Sequence, residues 1–166
     1  MRFPQINHLY SVEERREAER VKKILAPLVK AGTLSSLKRV DKAIEELASF
    51  WRAGAYKIVH VHSRIPTLLI KRWENLASRK CEGWLEPIPK YAREFFLHPI
   101  IINNVYLIQK RANCIGGNCL QAALHINKEL SKHKDYKGVG DICDANCAYH
   151  NGKPYFFDYI MGVEMS

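Results

Sequence analysis

The dipeptide Asn151-Gly152 constrains this chain more tightly than any other feature in it. A two-residue hairpin loop of type I′ needs positive φ at both central positions, and Asn-Gly adopts that geometry at little cost. The flanking residues are therefore expected to form two antiparallel strands with His150 opposite Lys153. That register sets Tyr149 against Pro154, Cys147 against Phe156 and Ala145 against Asp158. Side chains alternate across a strand, so Cys143, Cys147 and Asp158 share one side of the hairpin and His150 lies on the other. A bulge in the first strand would exchange the two faces and bring His150 round to Asp158.

The segment before this hairpin carries the reactive side chains. Ile100 to Lys110 reads as a strand leading into Asn113-Cys114-Ile115-Gly116-Gly117-Asn118-Cys119, with a helix over Leu120 to Lys132. Cys119 then sits at a helix N-terminus, where free backbone N–H groups and the positive dipole end favour a thiolate. The two glycines allow a substrate backbone to come close and let neighbouring N–H groups point at an oxyanion. The plainer reading makes Cys119 a core residue beside Ala123, Ile126 and Leu130.

Gly117-Asn118-Cys119, Asn146, Asn151-Gly152-Lys153 and Tyr155-Phe156-Phe157-Asp158 together resemble the papain-like and transglutaminase-like cysteine enzymes, including papain-fold toxins and deamidating effectors. The resemblance covers residues 113–160. It implies a Cys-bearing helix followed by a hairpin that supplies a His and then an Asp or Asn, with Cys143 standing where the family has its His. A thiol does not replace an imidazole that must take up and return a proton near neutral pH. In an active form the resemblance implies Cys119 as nucleophile, His150 as base and Asp158 as its orienting partner, supported by Gly117, Asn118 and Asn146. The substrate would be a protein or peptide with a carboxamide or peptide bond, and no cofactor is required. The same features fit a catalytically degenerate relative.

Cys114, Cys119, Cys143 and Cys147 also number enough for a zinc site, the alternative cofactor. Two Cys four apart on a regular strand lie roughly 13 Å apart, so only a turn between Asp144 and Asn146 would let that pair share an ion. A disulfide from Cys114 or Cys119 to Cys143 is a further option in an oxidising compartment. Five cysteines in a chain of 166 residues favour reduced thiols and a cytoplasmic location, with non-standard secretion as an effector left open.

The N-terminal half reads as helical. Ser11 and Glu14 form a capping-box pattern opening a helix that carries Val21, Ile24, Leu25 and Leu28, with Pro27 near its end and Gly32 as a stop. A second helix is expected from about Ser36 to Gly54 through Leu37, Val40, Ile44, Leu47 and Trp51. Tyr56 to His62 reads as a strand and Thr67 to Ser78 as a third helix. His60 and His62 share a strand face, either as a metal pair or, more simply, as an exposed polar face with Val59 and Val61 turned inward.

Twenty-six Lys and Arg against 17 Asp and Glu give a formal charge of +9. Residues 1–83 hold 17 basic and 9 acidic side chains, net +8, against 9 and 8, net +1, in residues 84–166. Arg15, Arg16, Arg20, Lys22, Lys23, Lys38, Arg39 and Lys42 could neutralise phosphates, which favours a nucleic acid or an acidic protein as partner. The best apolar run, Ile100 to Ile108, is broken by Asn103 and Asn104 and falls short of a membrane span. The expectation is an α+β protein: a basic, mainly helical region 1–83 packed on a papain-like core 84–166 with one Cys-bearing helix and an antiparallel sheet. Its function is thiol acyl transfer or, alternatively, non-catalytic binding of nucleic acid with or without a structural zinc.

Overall fold

Ser11 opens the first helix as its sequence dictates. The Ser11 amide donates to Glu14 Oε1 at 2.8 Å and the Glu14 amide donates to Ser11 Oγ at 3.1 Å, so each satisfies a donor that the helix itself leaves open. The computed structural model describes residues 9–29, 34–53, 57–74, 90–102, 105–111, 118–139, 147–157 and 163–165. Helix α1 (Val12–Val29) buries Ala18, Val21 and Leu25, and Pro27 lies inside its last turn. Helix α2 (Leu34–Leu47) buries Val40 and Ile44. The two helices pack against each other.

Strands β1 (Ala48–Ala53), β2 (Lys57–His62), β3 (Leu68–Trp73), β4 (Ile101–Ile102) and β5 (Tyr106–Lys110) form one antiparallel sheet in the order β1-β2-β3-β5-β4. Three expectations are corrected here. The second helix stops at Leu47, and the residues around Trp51 form edge strand β1. The stretch read as a third helix over Thr67 to Ser78 is strand β3, all six of whose residues are buried. A strand covered on both faces loses the alternation that would distinguish it from a helix. The segment read as one strand from Ile100 to Lys110 is two strands, β4 and β5, paired with each other. The N-terminal half thus carries three strands beside its two helices.

Register places His62, Arg72 and Lys110 on one face of the sheet. Their side chains meet Glu17, Asp41 and Glu14 respectively. Both helices therefore lie against that face.

Helix α3 (Asn118–Leu130) buries Cys119, Ala122, Ala123, Ile126 and Leu130 against the hairpin of β7 (Cys147–His150) and β8 (Lys153–Phe156). The hairpin has the expected register, with Cys147 opposite Phe156 and His150 opposite Lys153. Asn151 and Gly152 take φ of 51° and 77°, the positive values a type I′ turn demands. A 3₁₀ turn (Arg93–Phe95) leads into an edge contact, in which the Leu97 amide donates to the Phe156 carbonyl at 3.0 Å. A separate pair, β6 (Tyr136–Val139) and β9 (Val163–Met165), is also antiparallel.

The chain is an α+β protein whose contacts divide it into two units. The first comprises Met1–Arg79 and His98–Arg111, the second Lys80–Leu97 and Ala112–Ser166. This differs from a single boundary at 83/84, because β5 finds its hydrogen-bonding partners in β3 and β4. Among the described residues, no helix is long and apolar enough to cross a membrane.

Candidate functional site

In the second unit, Cys119 occupies the first turn of α3 and is 7% exposed. Its sulfur is in a disulfide. A disulfide sulfur is not a nucleophile, so the acyl-transfer role belongs to the reduced form alone. Cys147, on the facing strand, is a fully buried thiol beneath the helix. The Tyr149 hydroxyl reaches His125 Nδ1 on α3 at 3.2 Å. Tyr149 thereby identifies the hairpin face that looks toward the helix, and alternation puts His150 on the opposite face. There His150 meets the ring of Tyr155 edge-on at 6.4 Å. Lys153 shares that face, its ammonium 5.5 Å from the Tyr155 ring centre and 5.9 Å from that of Phe95. No bulge interrupts β7, so the route by which His150 could turn toward the helix is absent from the described hairpin.

Cys119 and the hairpin are thus brought together, and Cys119 and His150 are not. Gly117, Asn146, Asp158, Cys114 and Cys143 lie outside the described residues, as does the side chain of Asn118. Of the remaining histidines near α3, His133 stacks on Tyr91 with ring centres 4.1 Å apart.

The first unit holds a polar cluster that sequence reasoning missed. Glu14 Oε1 accepts from Lys110 Nζ at 2.8 Å, and Oε2 accepts from the Thr67 hydroxyl at 2.8 Å. Lys110 Nζ also donates to the Leu9 carbonyl at 2.6 Å. The Tyr10 hydroxyl donates to the His98 carbonyl at 2.7 Å and accepts from the Lys110 amide at 2.9 Å. One turn along α1, Glu17 accepts two bonds from Arg20 Nε and one from Nη2, the shortest at 2.6 Å, and meets His62 Nε2 at 2.9 Å. His62 Nδ1 accepts from the Arg64 and Ile65 amides, which assigns the ring proton to Nε2 and makes His62 a donor to Glu17.

The charges follow from these contacts. Burial alone would push the Glu14 carboxyl up, yet the bonds from Lys110, the Ser11 amide and Thr67 together hold it below the usual range. Hydrogen bonding to Arg20 holds Glu17 low against a smaller effect of burial. Burial pushes His62 and His60 below the usual imidazole range. Both rings are buried, at 1% and 5% exposure, so the expected exposed polar face at His60 and His62 is corrected: the ring face packs inward, beneath the helices. The alternation could not reveal this, because Val59 is buried as well.

Arg16 and Arg20 of α1 are exposed and Arg15 is half-buried. Arg15, Arg16, Arg20 and Lys23 line a groove of about 510 Å³ together with Val12 and Glu19. An adjoining groove of about 500 Å³ shares Arg16 and Arg20, adds Arg64, and is also lined by Glu13 and Glu17. Lys22, Lys38, Arg39 and Lys42 are exposed. Among the described residues, no group of three or more His, Cys, Asp or Glu side chains is arranged to hold a metal ion.

Neither protein-family models nor curated proteins match this chain. The second unit presents a Cys-bearing helix on a hairpin, and the first presents a cationic helix surface.

Proposed function

We propose that the second unit is a papain-like thiol acyl-transfer module, acting on a peptide bond or carboxamide once Cys119 has been reduced. The observation that carries this reading is the position of Cys119 in the first turn of α3, on a helix packed against the β7–β8 hairpin. A small dithiol would exchange with the disulfide, forming its own disulfide and releasing two cysteine thiols. The helix N-terminus would then favour the Cys119 thiolate. That thiolate adds to the substrate carbonyl carbon, and the leaving amine departs with a proton, giving a thioester. With His150 on the far face of the hairpin, the helix terminus is the described source of nucleophile activation, and this fits slow or degenerate turnover better than an efficient triad.

The test is alkylation by iodoacetamide at pH 6 after dithiol reduction, with each cysteine followed by peptide mass spectrometry. Cys119 is expected to react about tenfold faster than Cys81, Cys114, Cys143 and Cys147, and Cys119→Ser should abolish the fast phase. Labelling of all five at one slow rate would sink the enzyme reading.

A second reading is supported by the two grooves along α1, which Arg15, Arg16, Lys23 and Arg64 line. We infer a polyanion surface there, of the kind that neutralises nucleic-acid phosphates. Steep loss of affinity for DNA or RNA with added salt supports it. Binding that is unaffected by Arg16→Glu with Lys23→Glu counts against it.

A further inference from the structure

Edge strand β1 keeps an open side that neither reading uses. Beyond Ala48 all of its residues are exposed, and among the described residues it pairs with β2 alone. The Ser63 amide donates to the Leu47 carbonyl at 3.1 Å, which makes that pair a hydrogen-bonded one. Bonded and non-bonded pairs alternate along an antiparallel ladder, so Ser49 and Val61 are bonded and Phe50 and His60 are not. The Phe50 amide and carbonyl therefore point away from β2, out of the sheet edge. The two faces of this edge differ. Phe50, 64% exposed, lies on the helix-covered face and meets the His60 ring edge-on at 6.0 Å. On that face the Glu45 carboxylate of α2 acts on the charge of His60. The pairing slips by one residue after Phe50, and this bulge puts Trp51 and Arg52 together on the opposite face. There the Arg52 and Arg111 guanidinium groups lie 4.6 and 4.7 Å from the Trp51 ring centre. Among the described residues neither arginine has a carboxylate partner, and Arg111 Nε has no acceptor.

A strand added to this edge meets both faces, because its side chains alternate between them. The residue that pairs with Phe50 sends its own amide and carbonyl toward β1 and its side chain to the Phe50 face. An apolar group fits there, whereas a carboxylate would be set beside Glu45. The residues before and after it send their side chains to the face of Arg52 and Arg111, where a carboxylate completes a charge-assisted pair. We propose that the β1 edge receives an extended peptide of alternating apolar and acidic residues as a further strand, its apolar side chains on the Phe50 face and its acidic ones on the face of Arg52 and Arg111. The excess of cationic side chains in residues 1–83 draws such a chain toward the edge. A second copy of β1 fits worse, since it would bring the arginines of two chains together. A nucleic acid would use the arginines and leave the Phe50 amide and carbonyl open.

The edge is independent of the α1 grooves, and the experiment separates the two. The probe is an end-capped decapeptide of alternating Val and Glu, added to the full-length protein isotopically labelled for NMR. Exchange of the Phe50 amide with water should slow about tenfold at a peptide concentration about ten times its dissociation constant. Methylating the Val amides of the peptide removes the donors that face β1 and should abolish this protection. Methylating the Glu amides, which face away, should leave it in place. Arg52→Gln with Arg111→Gln should weaken binding about 2- to 30-fold through loss of two exposed ion pairs. Circular dichroism of the variant checks that the fold is retained. The proposal is overturned if the Phe50 amide is not protected, if the two methylated peptides bind alike, or if the arginine variant binds as the parent does. Equal protection of that amide by a poly-dT strand would overturn it in favour of nucleic acid, and protection that grows with protein concentration alone would overturn it in favour of a second copy. Loss only on Arg16→Glu with Lys23→Glu would also overturn it while leaving the groove reading intact.

Discussion

Replacing Glu14 by Ala should destabilise the first unit far more than an ordinary helix substitution. Its carboxylate is 5% exposed and accepts from the Ser11 amide, Thr67 and Lys110, and the Lys110 side chain is itself only 13% exposed. Removing one partner of a buried ion pair typically costs about 3–5 kcal/mol, because the other charge stays buried without compensation. Lys110 would keep its bond to the Leu9 carbonyl and its position 5.9 Å from the Tyr10 ring centre. The lower end, about 3 kcal/mol, is therefore expected. With a urea slope of about 2 kcal/mol/M the unfolding midpoint falls by about 1.5 M. A suitable assay is urea titration followed by tryptophan fluorescence in a Trp84→Phe background, which leaves Trp51 and Trp73, both in the five-stranded sheet. Adding Lys110→Met should recover about 1–3 kcal/mol relative to the sum of the single changes, since the stranded charge is then gone. A loss below about 1 kcal/mol for Glu14→Ala, or strict additivity in the double variant, would refute the reasoning.

The same cluster sets a pH dependence. His62 and His60 have folded pKa values below the ordinary 6.5, so the unfolded chain binds more protons and stability is lost as pH falls below about 6.5. Glu14 and Glu17, held below the ordinary 4.5, add a second loss as pH drops under that value. Asp41, pushed up by burial despite Arg72, acts in the opposite sense just above its ordinary 3.8. Urea midpoints should thus decline between pH 7 and 5, and His62→Gln should reduce that decline; a flat profile in the parent would count against buried neutral histidines. In the hairpin, Gly152→Ala should cost about 1–2 kcal/mol from the positive φ alone, since an added Cβ would meet nothing within 4 Å. Gly152→Asn should cost less in the same thermal melt, and equal melting temperatures for all three proteins would contradict a backbone origin.

What could be read in advance was local. The capping box at Ser11 and Glu14, the Asn151-Gly152 turn and the pairing of Cys147 with Phe156 each depend on residues within ten positions, and each is present. The α+β class followed from them. What escaped depends on distant partners. Leu68 to Trp73 contains Lys71 and Arg72 in a fully buried strand, where Lys71 donates to Gln109 and Arg72 pairs with Asp41. Without those partners in view, Thr67 to Ser78 reads as a helix. Nothing near Glu14 announced Lys110, 96 positions away, and nothing near Trp51 announced Arg111. At the second site the hairpin was legible to the residue, and that same register is what sets His150 away from α3.

The placement of β5 between β3 and β4 bears on how this protein can be made. A ribosome that has released residues 1–83 has delivered both long helices and three strands, yet the outer side of β3 still waits for a strand some 25 residues further on. Until Tyr106–Lys110 emerges, that backbone is an open edge, and Glu14 lacks the lysine that neutralises it. Cutting the gene at its midpoint would therefore yield two fragments that each lack part of a unit. A split that respects the fold would have to carry His98–Arg111 with the N-terminal piece.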